Sequence, residues 1–553
     1  MSRDLFLLAN DVLTEYEALK TARGALDFDD LILRTLALLN GSQYPDLRET
    51  MPGWVNYKLD QGLDHLLVDE AQDTNPEQWK ILEALTREFF GGDGSRAPDA
   101  APRTVFVVGD DKQSIYSFQR ASPQEFGRMK AFFDEKHKTV GRKLDDVQLN
   151  ISFRSAESVL KAVDAAFADM GVEHRWHRRG QAGLVELWPL TQTAKREKTD
   201  FWELPLHEVS DETAPSGPAQ MASRIAATIG HWLNAGEILP SRGRAIRPGD
   251  IMILLKNRKK GEPIVAALKA AGIPVAGADR MVLNEELAVQ DLLAACGFAL
   301  LPEDDLTLAC LLKSPLIGMD EEALFTLAYG RRASLWAAIP PGNLKDYLQT
   351  LIGAARAQGP YAFLSTLLNR PCPASARSGL AAMQARLGLH ALEPIEALLE
   401  AALEFERSSP ASLQLFVDWQ SRQAREIKRE MEAADDESDQ GAVRIMTVHG
   451  SKGLQAPIVF LPDTVRTAKS SPNQSARRLL WPHQSGNTLP LWSPRKDTDS
   501  SLFEQGMDHL ESLEDAEYRR LFYVAMTRAE DRLYIAGAAG TKNPIEESWY
   551  NYA

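Results

Sequence analysis

The feature that most constrains this chain is residues 65–73, HLLVDEAQD, a short apolar run that ends in two adjacent carboxylates. The apolar residues 66–68 predict a short buried β-strand, and Asn75 with Pro76 predicts the N-cap and first turn of a following helix. Carboxylates at the C-terminal end of a buried parallel strand face the crevice in which open α/β sheets bind ligands. A strand followed by a solvated turn explains the same residues as well, so the other motifs must decide between the two.

Four further blocks follow in the chain: residues 109–119 (GDDKQSIYSFQ), 149–155 (LNISFRS), 445–455 (IMTVHGSKGLQ) and 517–529 (EYRRLFYVAMTRA). Together with residues 65–73, and in this order, they resemble motifs II to VI of superfamily-one DNA helicases of the UvrD/Rep/RecB kind. Any one block could match by accident, whereas five in order could not. The variants SIYSFQ and KGLQAP, with IPVAGADR at 273–280, resemble the AddA helicase-nuclease subunits of bacterial double-strand-break repair.

The resemblance implies an α/β fold with two RecA-like parallel-sheet motor lobes, the first incomplete, and mainly helical insertions. The expected order is a helical end of a 1B-like insertion (1–61), the first lobe with motifs II and III (62–145), the first part of the second lobe with motif IV (146–284), a helical 2B-like insertion (285–440) and the last part of the second lobe with motifs V and VI (441–553). Within these, the residues predict strands at 184–187 and 251–255, an N-cap at Asp27, and loops or linkers at 191–220, 433–440 and 467–501.

One expected motif is missing, because no Gly-x-x-x-x-Gly-Lys-Ser/Thr pattern occurs in the 553 residues. The loop that cradles nucleotide phosphates, and its lysine, are therefore absent from this sequence. In the family this loop precedes all five blocks. The resemblance thus implies a fragment that begins after the first motor strand and ends before any nuclease domain. An internal initiation, a gene-prediction boundary and a deliberate choice of segment all stay open as its origin.

The resemblance implies ATP and Mg²⁺ as ligands of the first-lobe motifs. Asp69 would hold the Mg²⁺, and Glu70 would orient or deprotonate the attacking water. Gln113 would sense the γ-phosphate or hold that water; a generic loop glutamine is the alternative.

Arg154 and Arg528 correspond to the two family arginines that reach the nucleotide from the second lobe. Guanidinium groups suit this work because they bind phosphate oxygens bidentately and stay charged. Arg528 lies four residues after Val524, so helical spacing predicts that both share a core-directed face. Gln455 stands where the wider family has a glutamate on the nucleotide side, which leaves the role of that position open.

The DNA side is expected to use aromatic and small polar residues. Tyr116 and Phe118 would stack on successive bases, an interaction worth about 1–3 kcal/mol per base; core packing is the alternative. Thr447, His449 and Lys452 would donate hydrogen bonds to backbone phosphates. The implied partners are single-stranded DNA, duplex DNA ends and a subunit of the AddB type, with no membrane.

Composition agrees with a bacterial cytoplasmic protein. No apolar segment is long enough to span a bilayer, no signal-peptide pattern is present, and the three cysteines are expected to be buried free thiols. The net charge of −15 does not advertise nucleic-acid binding, but a narrow channel can be basic on an acidic protein. The basic stretches 175–179 and 256–260 are possible DNA contacts or solvated faces.

Three functions fit these observations. The first is part of an ATP-driven 3′-to-5′ DNA helicase and translocase of double-strand-break repair and recombination, with the phosphate loop supplied by missing residues. The second is an ATP-independent DNA-binding scaffold, and the third is a nonfunctional truncation. Asp69, Glu70, Gln113, Arg154 and Arg528 argue against a long-decayed scaffold, because residues useful only for hydrolysis are still chemically correct.

Overall fold

The computed structural model describes residues 2–40, 55, 58–59, 62–90, 103–139, 141–192, 216–276, 280–388, 391–422, 426–428, 441–465, 478–480, 483–484, 487–488, 490–539 and 546–553. The chain forms two compact units, residues 1–278 with 438–553, and residues 279–437. The first unit contains a two-stranded parallel sheet, formed by residues 65–68 and 104–107, and a six-stranded parallel sheet, and the part of the chain around each of these two sheets is called a lobe below.

The described part of the first lobe contains α1 (Ser2–Arg23), α2 (Phe28–Asn40), β1 (His65–Val68), α3 (Pro76–Thr86), β2 (Thr104–Val107) and α4 (Pro123–Thr139). β1 and β2 pair in parallel. Asn75 caps α3 through a reciprocal pair of hydrogen bonds with Gln78, and Pro76 opens the helix. Asp27 accepts the N–H of Asp30 over 2.8 Å at the start of α2. Both predicted N-caps are therefore confirmed.

The prediction that residues 66–68 form a buried strand is right for the strand and wrong for the burial. Leu67 is 69% exposed, and Phe106 on the neighbouring strand is 61% exposed. Side chains of a strand alternate between faces, and one face of this two-stranded sheet is not covered by the described residues. Burial depends on that covering layer, which the local sequence does not contain.

The second lobe begins with β3 (Ile151–Ser152), α5 (Glu157–Ala166), β4 (Arg175–Trp176), β5 (Leu184–Leu187), β6 (Thr191–Gln192), α6 (Gly217–Ala235), β7 (Ile238–Leu239), β8 (Arg244–Ala245), β9 (Ile251–Leu255), α7 (Glu262–Ala270) and β10 (Val275–Ala276). The predicted strands at 184–187 and 251–255 are confirmed.

The second unit is mainly helical: β11 (Arg280–Val282), α8 (Leu287–Leu300), α9 (Asp305–Lys313), α10 (Glu321–Ala328), α11 (Leu335–Ala338), α12 (Asn343–Ala357), α13 (Pro360–Asn369), α14 (Gly379–Leu387), α15 (Leu392–Ser408), α16 (Leu413–Arg422) and β12 (Glu426–Lys428). Its own apolar core includes Phe298, Phe363 and Phe416. This unit coincides closely with the predicted helical insertion.

The chain then completes the second lobe with β13 (Val443–Thr447), β14 (Ala456–Leu461), β15 (Leu479–Leu480), β16 (His483–Gln484), β17 (Asn487–Thr488), β18 (Leu491–Trp492), α17 (Ser501–Met526), β19 (Ala529–Ile535), β20 (Ala538–Ala539) and α18 (Trp549–Tyr552). Short 3₁₀ turns connect elements at the site, at Ala71–Asp73, Asp111–Gln113, Ser117–Gln119 and His449–Ser451.

The second-lobe sheet has six parallel strands in the order β10-β13-β9-β14-β19-β5. Successive side chains of each strand point to opposite faces of this sheet. Met252 and Leu254 of β9 pack in a cluster with Val159 of α5 and Phe522 of α17. Ile251 and Ile253 pack with α6 and α7 on the other face. Both faces are covered, so β9 and β14 are buried at every residue.

Several other expectations have mixed outcomes. Cys296 and Cys372 are buried as predicted, whereas Cys310 is exposed. The predicted loop at 467–501 includes a short antiparallel pair, β15 with β18, and residues 433–440 lie outside the described residues. No helix among the described residues is long and apolar enough to cross a membrane.

Candidate functional site

Two carboxylates follow β1 at its C-terminal end. Asp69 and Glu70 are both exposed. Glu70 has a left-handed backbone, with φ 50° and ψ 40°, which costs a non-glycine residue about 1–2 kcal/mol. Its N–H donates to Oδ1 of Asp69 over 2.9 Å. Strained backbone of this kind clusters at functional sites, so the turn supports the predicted role of these carboxylates without proving it.

Gln72 holds this turn in place. Its side-chain NH₂ group donates to Oε2 of Glu70 over 2.6 Å, and its side-chain oxygen Oε1 accepts the N–H of Asp110 over 2.8 Å. A Cβ at Gly109 would lie 2.8 Å from that same oxygen, so a side chain there would displace it. Gln72 was missed by the sequence reasoning, because its role depends on the neighbouring strand.

Gln113 follows β2 and faces the second lobe. Its amide donates to Oδ2 of Asp110 over 2.9 Å, and its Oε1 lies 3.4 Å from Nη2 of Arg528. Lys112 forms an ion pair of 2.9 Å with Asp110. The predicted glutamine is therefore held at a fixed point between motif II and the second lobe.

The two predicted arginines come together in the second lobe. Arg154 donates from Nε to Oε1 of Gln455 over 2.5 Å and from Nη1 to the carbonyl oxygen of Thr527 over 3.5 Å. Arg528 donates from Nε to the carbonyl oxygen of Val524 over 3.1 Å and from Nη2 to Oγ1 of Thr527 over 3.3 Å. Thr527 thus joins the two guanidinium groups.

Arg528 carries a buried charge. It is 2% exposed, and burial, followed by repulsion from Arg154, lowers its pKa to about 10. Its predicted place on a helix is wrong, because α17 ends at Met526, but its core-directed orientation is confirmed. Among the described residues, the groups that accept hydrogen bonds from Arg154 and Arg528 are neutral oxygens, and neither guanidinium forms an ion pair with a carboxylate. The carboxylate of Glu70 raises the pKa of Arg528 through space, but this does not offset the effect of burial.

Lys452 lies at the junction between motif V and motif II. Its ammonium group contacts a carboxylate oxygen of Asp73, lies 3.2 Å from Oε2 of Glu70, and donates to the carbonyl oxygen of Gln113 over 3.1 Å. Burial raises the pKa of Asp73 even beside this ammonium group. DNA-phosphate binding by Lys452 stays a prediction, and the contacts place its charge beside the motif II carboxylates instead.

An aromatic cluster lies next to this junction. The rings of Tyr116 and Phe118 are 5.6 Å apart, and Phe118 meets the ring of His449 edge-on at 5.7 Å. Phe118 is 68% exposed, while Tyr116 is half-buried. Burial lowers the pKa of His449. Oγ1 of Thr447 accepts the N–H of Gly450 over 3.2 Å in the same turn. The structure brings these four predicted DNA-binding residues to one region.

Phe153 is a candidate residue that the sequence reasoning missed. It immediately precedes Arg154, is 66% exposed, and its ring centroid lies 4.7 Å from that of His177. An aromatic residue directly before the motif IV arginine is the sequence signal that could have identified it.

Two cations of the basic stretches 175–179 and 256–260 form ion pairs within the protein. Arg178 forms an ion pair of 2.6 Å with Asp531, whose side chain is 2% exposed. Lys260 forms an ion pair of 2.7 Å with Asp463. Both cations therefore stabilise the second lobe.

A magnesium site fits Asp69. Among the described residues no group of three or more His, Cys, Asp or Glu side chains is placed to hold a metal ion. Mg²⁺, however, is usually bound by one or two carboxylates together with substrate phosphates and water. An exposed carboxylate at a strand end meets that requirement.

Comparison with known proteins agrees with this arrangement. Residues 3–134 match the UvrD/REP helicase N-terminal domain, and residues 391–539 match the UvrD-like helicase C-terminal domain. The chain is 28% identical over 579 residues to an ATP-dependent helicase/nuclease subunit of the AddA type from Bacillus mycoides (strain KBAB4), and 27% identical over 583 residues to one from Ligilactobacillus salivarius (strain UCC118).

Each alignment covers 97% of this chain and 44% of the relative, so the chain spans less than half the length of these curated relatives. The two domain matches include the strand-end carboxylates at one end of the chain and the buried arginine at the other. The chain belongs to the UvrD/Rep-like DNA helicases and is similar to their helicase/nuclease members of the AddA type.

Proposed function

We propose that this chain is the motor region of an ATP-dependent DNA helicase that moves 3′ to 5′ along single-stranded DNA in double-strand-break repair and recombination. The observation that carries the proposal is the pair Arg154 and Arg528, whose hydrogen bonds go to neutral oxygens. A buried guanidinium without a carboxylate is costly. Binding of a polyphosphate would remove that cost, and Gln113 already touches the pair from the first lobe.

The side chains divide the hydrolytic work. Asp69 would hold the Mg²⁺ that neutralises the phosphates, and Glu70 would orient the attacking water. Gln113 would report on the γ-phosphate. Arg154 and Arg528 would stabilise the charge of the transition state, a contribution worth about three to five orders of magnitude in rate in related chemistry. Hydrolysis would then require both lobes.

Lys452 would act on the nucleotide side of the junction between the two lobes. Its contacts with Glu70 and Asp73 fix the strained turn when no phosphate is bound. An arriving phosphate would compete for the same ammonium group, so nucleotide binding would release Glu70 to reach its water.

Phe153 and His177 would receive the base of the nucleotide. Their rings are already in contact, and the exposed face of Phe153 lies beside the phosphate-binding Arg154. Stacking on a flat apolar surface accepts any base, with modest selectivity.

DNA would bind at the aromatic cluster of Tyr116, Phe118 and His449, with Thr447 in the adjoining turn. The exposed ring of Phe118 offers a stacking platform without base readout. Neutral His449 and the hydroxyl group of Thr447 would donate to backbone phosphates.

The phosphate-cradling strand and loop would come from polypeptide outside this sequence. The exposed apolar residues Leu67 and Phe106 support this, because they lie on a sheet face that the described residues leave exposed. Val147, Leu149 and Ile151 are also exposed, at 75%, 84% and 51%, on alternate positions up to the start of β3. Such surfaces are normally covered in a folded domain.

The whole protein would work in the bacterial cytoplasm with a partner subunit of the AddB type. The relatives are named as subunits of helicase/nucleases, which supports an assembly with at least one other chain. Its substrates would be duplex ends and the single strands that they yield.

DNA-stimulated phosphate release tests this function. The isolated chain is expected to hydrolyse ATP negligibly, because Asp69 has no positioned phosphates. A fusion that adds the phosphate-loop segment of the Bacillus mycoides relative is expected to hydrolyse ATP when single-stranded DNA is present. Glu70→Gln should stop this turnover and keep nucleotide binding, whereas Asp508→Ala, on an exposed turn of α17, should change neither.

Ordinary helicase turnover by the isolated chain, or by the Glu70→Gln fusion, would show that the assigned chemistry is wrong. Binding of DNA without any nucleotide response in the fusion would favour the scaffold instead.

A further inference from the structure

Residues 114–117, the four-residue segment that follows Gln113, are held by α17. The N–H of Ser117 donates to Oε1 of Glu517 over 3.1 Å, and its hydroxyl group donates to the other carboxylate oxygen. Nε of Arg520 donates to the carbonyl oxygen of Ser114 over 2.8 Å. Both ends of this four-residue segment are therefore fixed to one helix of the second lobe.

The two residues between these ends are anchored as well. Ile115 is completely buried in a cluster with Val159 and Phe522 of the second lobe. The hydroxyl group of Tyr116 donates to the carbonyl oxygen of His449 over 3.1 Å. Each of the four residues 114–117 thus has its own contact with the second lobe.

The contacts follow the axis of α17. Glu517 and Arg520 are three residues apart and lie on one face of the helix. Arg528, just beyond the end of the helix, reaches Gln113. α17 thus contacts the two residues on either side of Ile115 and Tyr116, and Arg528 beyond its end contacts the residue expected to sense the γ-phosphate.

Arg520 has no role in the chemistry proposed above. Burial lowers its pKa, so the charged group destabilises the fold in which it is held. Its hydrogen bond to a backbone carbonyl fixes the position of that segment. Glu517 is likewise remote from the phosphate-binding arginines and satisfies two donors of one residue.

We propose that Glu517 and Arg520 are positioning residues that lock the segment 114–117 onto α17, so that nucleotide binding at the arginine pair changes the affinity for single-stranded DNA at Tyr116 and Phe118. This inference rests on the proposed function, because it couples the two sites named there. Glu517 and Arg520 transmit the coupling between the two sites and contact neither the nucleotide nor the DNA.

The test measures that coupling in the fusion that carries the phosphate-loop segment, because the proposed function takes that loop from outside this sequence. Affinity for a fluorescent single-stranded oligonucleotide is determined by anisotropy, with and without the non-hydrolysable analogue adenylyl imidodiphosphate and Mg²⁺. The fusion without substitutions is expected to change its DNA affinity by about 5-fold or more, within the range of ordinary coupling. Glu517→Ala and Arg520→Ala are expected to bind each ligand alone and to show a ratio near one.

Matched variants separate positioning from general damage. Glu517→Gln keeps the acceptor for the N–H of Ser117 and should retain part of the coupling. Asp508→Ala, an exposed carboxylate on the same helix, should retain all of it. Thermal unfolding identifies any variant that fails to fold, and Glu517→Gln then carries the test.

The outcomes distinguish the two proposals. If the fusion without substitutions fails to bind either one of the two ligands, the proposed function fails. If it binds both and the ratio is one, or if Glu517→Ala and Arg520→Ala keep the wild-type ratio, the positioning role is wrong.

Discussion

Replacing Arg528 with methionine should stabilise the second lobe and abolish its binding of polyphosphate. Burial lowers the pKa of Arg528 to about 10, well below its ordinary value. At about 1.4 kcal/mol for each tenfold change in the acid constant, the buried charge lowers the free energy of unfolding by about 3 kcal/mol. The folded-state pKa lies below the unfolded value, so this penalty is present throughout neutral pH and fades only as the pH rises through about 10.

Methionine fills a similar volume without the charge but loses four hydrogen bonds, one of 3.1 Å to the carbonyl oxygen of Val524 and three of 3.3–3.4 Å to Leu454, Thr527 and Gln113. Because most of them are long, each is worth about 0.5 kcal/mol, the low end of the usual range, or about 2 kcal/mol together. The net expectation is a gain of about 1 kcal/mol, or about 2–4 °C in Tm for a lobe of this size. Tripolyphosphate should raise the Tm of the wild-type chain and leave that of Arg528→Met unchanged.

Differential scanning calorimetry in buffer and in tripolyphosphate measures both effects. Arg519→Met is the matched control, because Arg519 forms a bidentate ion pair with Asp169 at 2.6 and 2.7 Å. This control should lower the Tm slightly or leave it unchanged, and should keep the response to tripolyphosphate. A fall in Tm for Arg528→Met larger than that of the control, or a retained tripolyphosphate response, would refute the reasoning.

Three further outcomes are expected. Gln455→Glu should raise the Tm through an ion pair with Arg154 and weaken the tripolyphosphate response; an undiminished response would mean that Arg154 is not part of the anion site. Burial raises the pKa of Asp291 to about 6, above its unfolded value, so stability should fall as the pH rises from about 4 through 6. Asp291→Asn should flatten that slope in calorimetric scans, and an unchanged slope would assign it to another group. Amide hydrogen exchange should show low protection in β1 and β2 beside strong protection in β14, and equal protection would show that the first lobe is stable on its own.

Local chemistry made much of the fold predictable. The N-caps at Asp27 and Asn75 and the strands β5 and β9 follow from residues within a few positions of each other. The same reasoning failed for the burial of β1, because exposure of Leu67 is decided by what covers the sheet.

For the site, the sequence predicts which residues belong to it but not their contacts. Motif patterns identify Asp69, Gln113 and Arg528, but they do not show which residues meet. Lys452 and Asp73 are 379 residues apart in sequence, and Glu517 and Ser117 are 400 apart. Their contacts depend on the docking of two lobes, which leaves no periodicity in either segment.

The strand order of the second lobe has a consequence for how this protein is made. In the six-stranded sheet, β10, β9 and β5 come from before the helical unit, and each of them pairs only with β13, β14 or β19 from after it. No two of the earlier strands pair with each other in that sheet.

The ribosome must therefore finish residues 279–437 before the first pair of that sheet can form. At about 5–20 residues per second, that interval lasts about 8–30 s. During it the apolar residues of β9 have no neighbouring strand, although the helical unit can already bury its own core. Nascent chains arrested before Val443 are accordingly expected to bind chaperones through β9, and the emergence of β13 and β14 to end that binding.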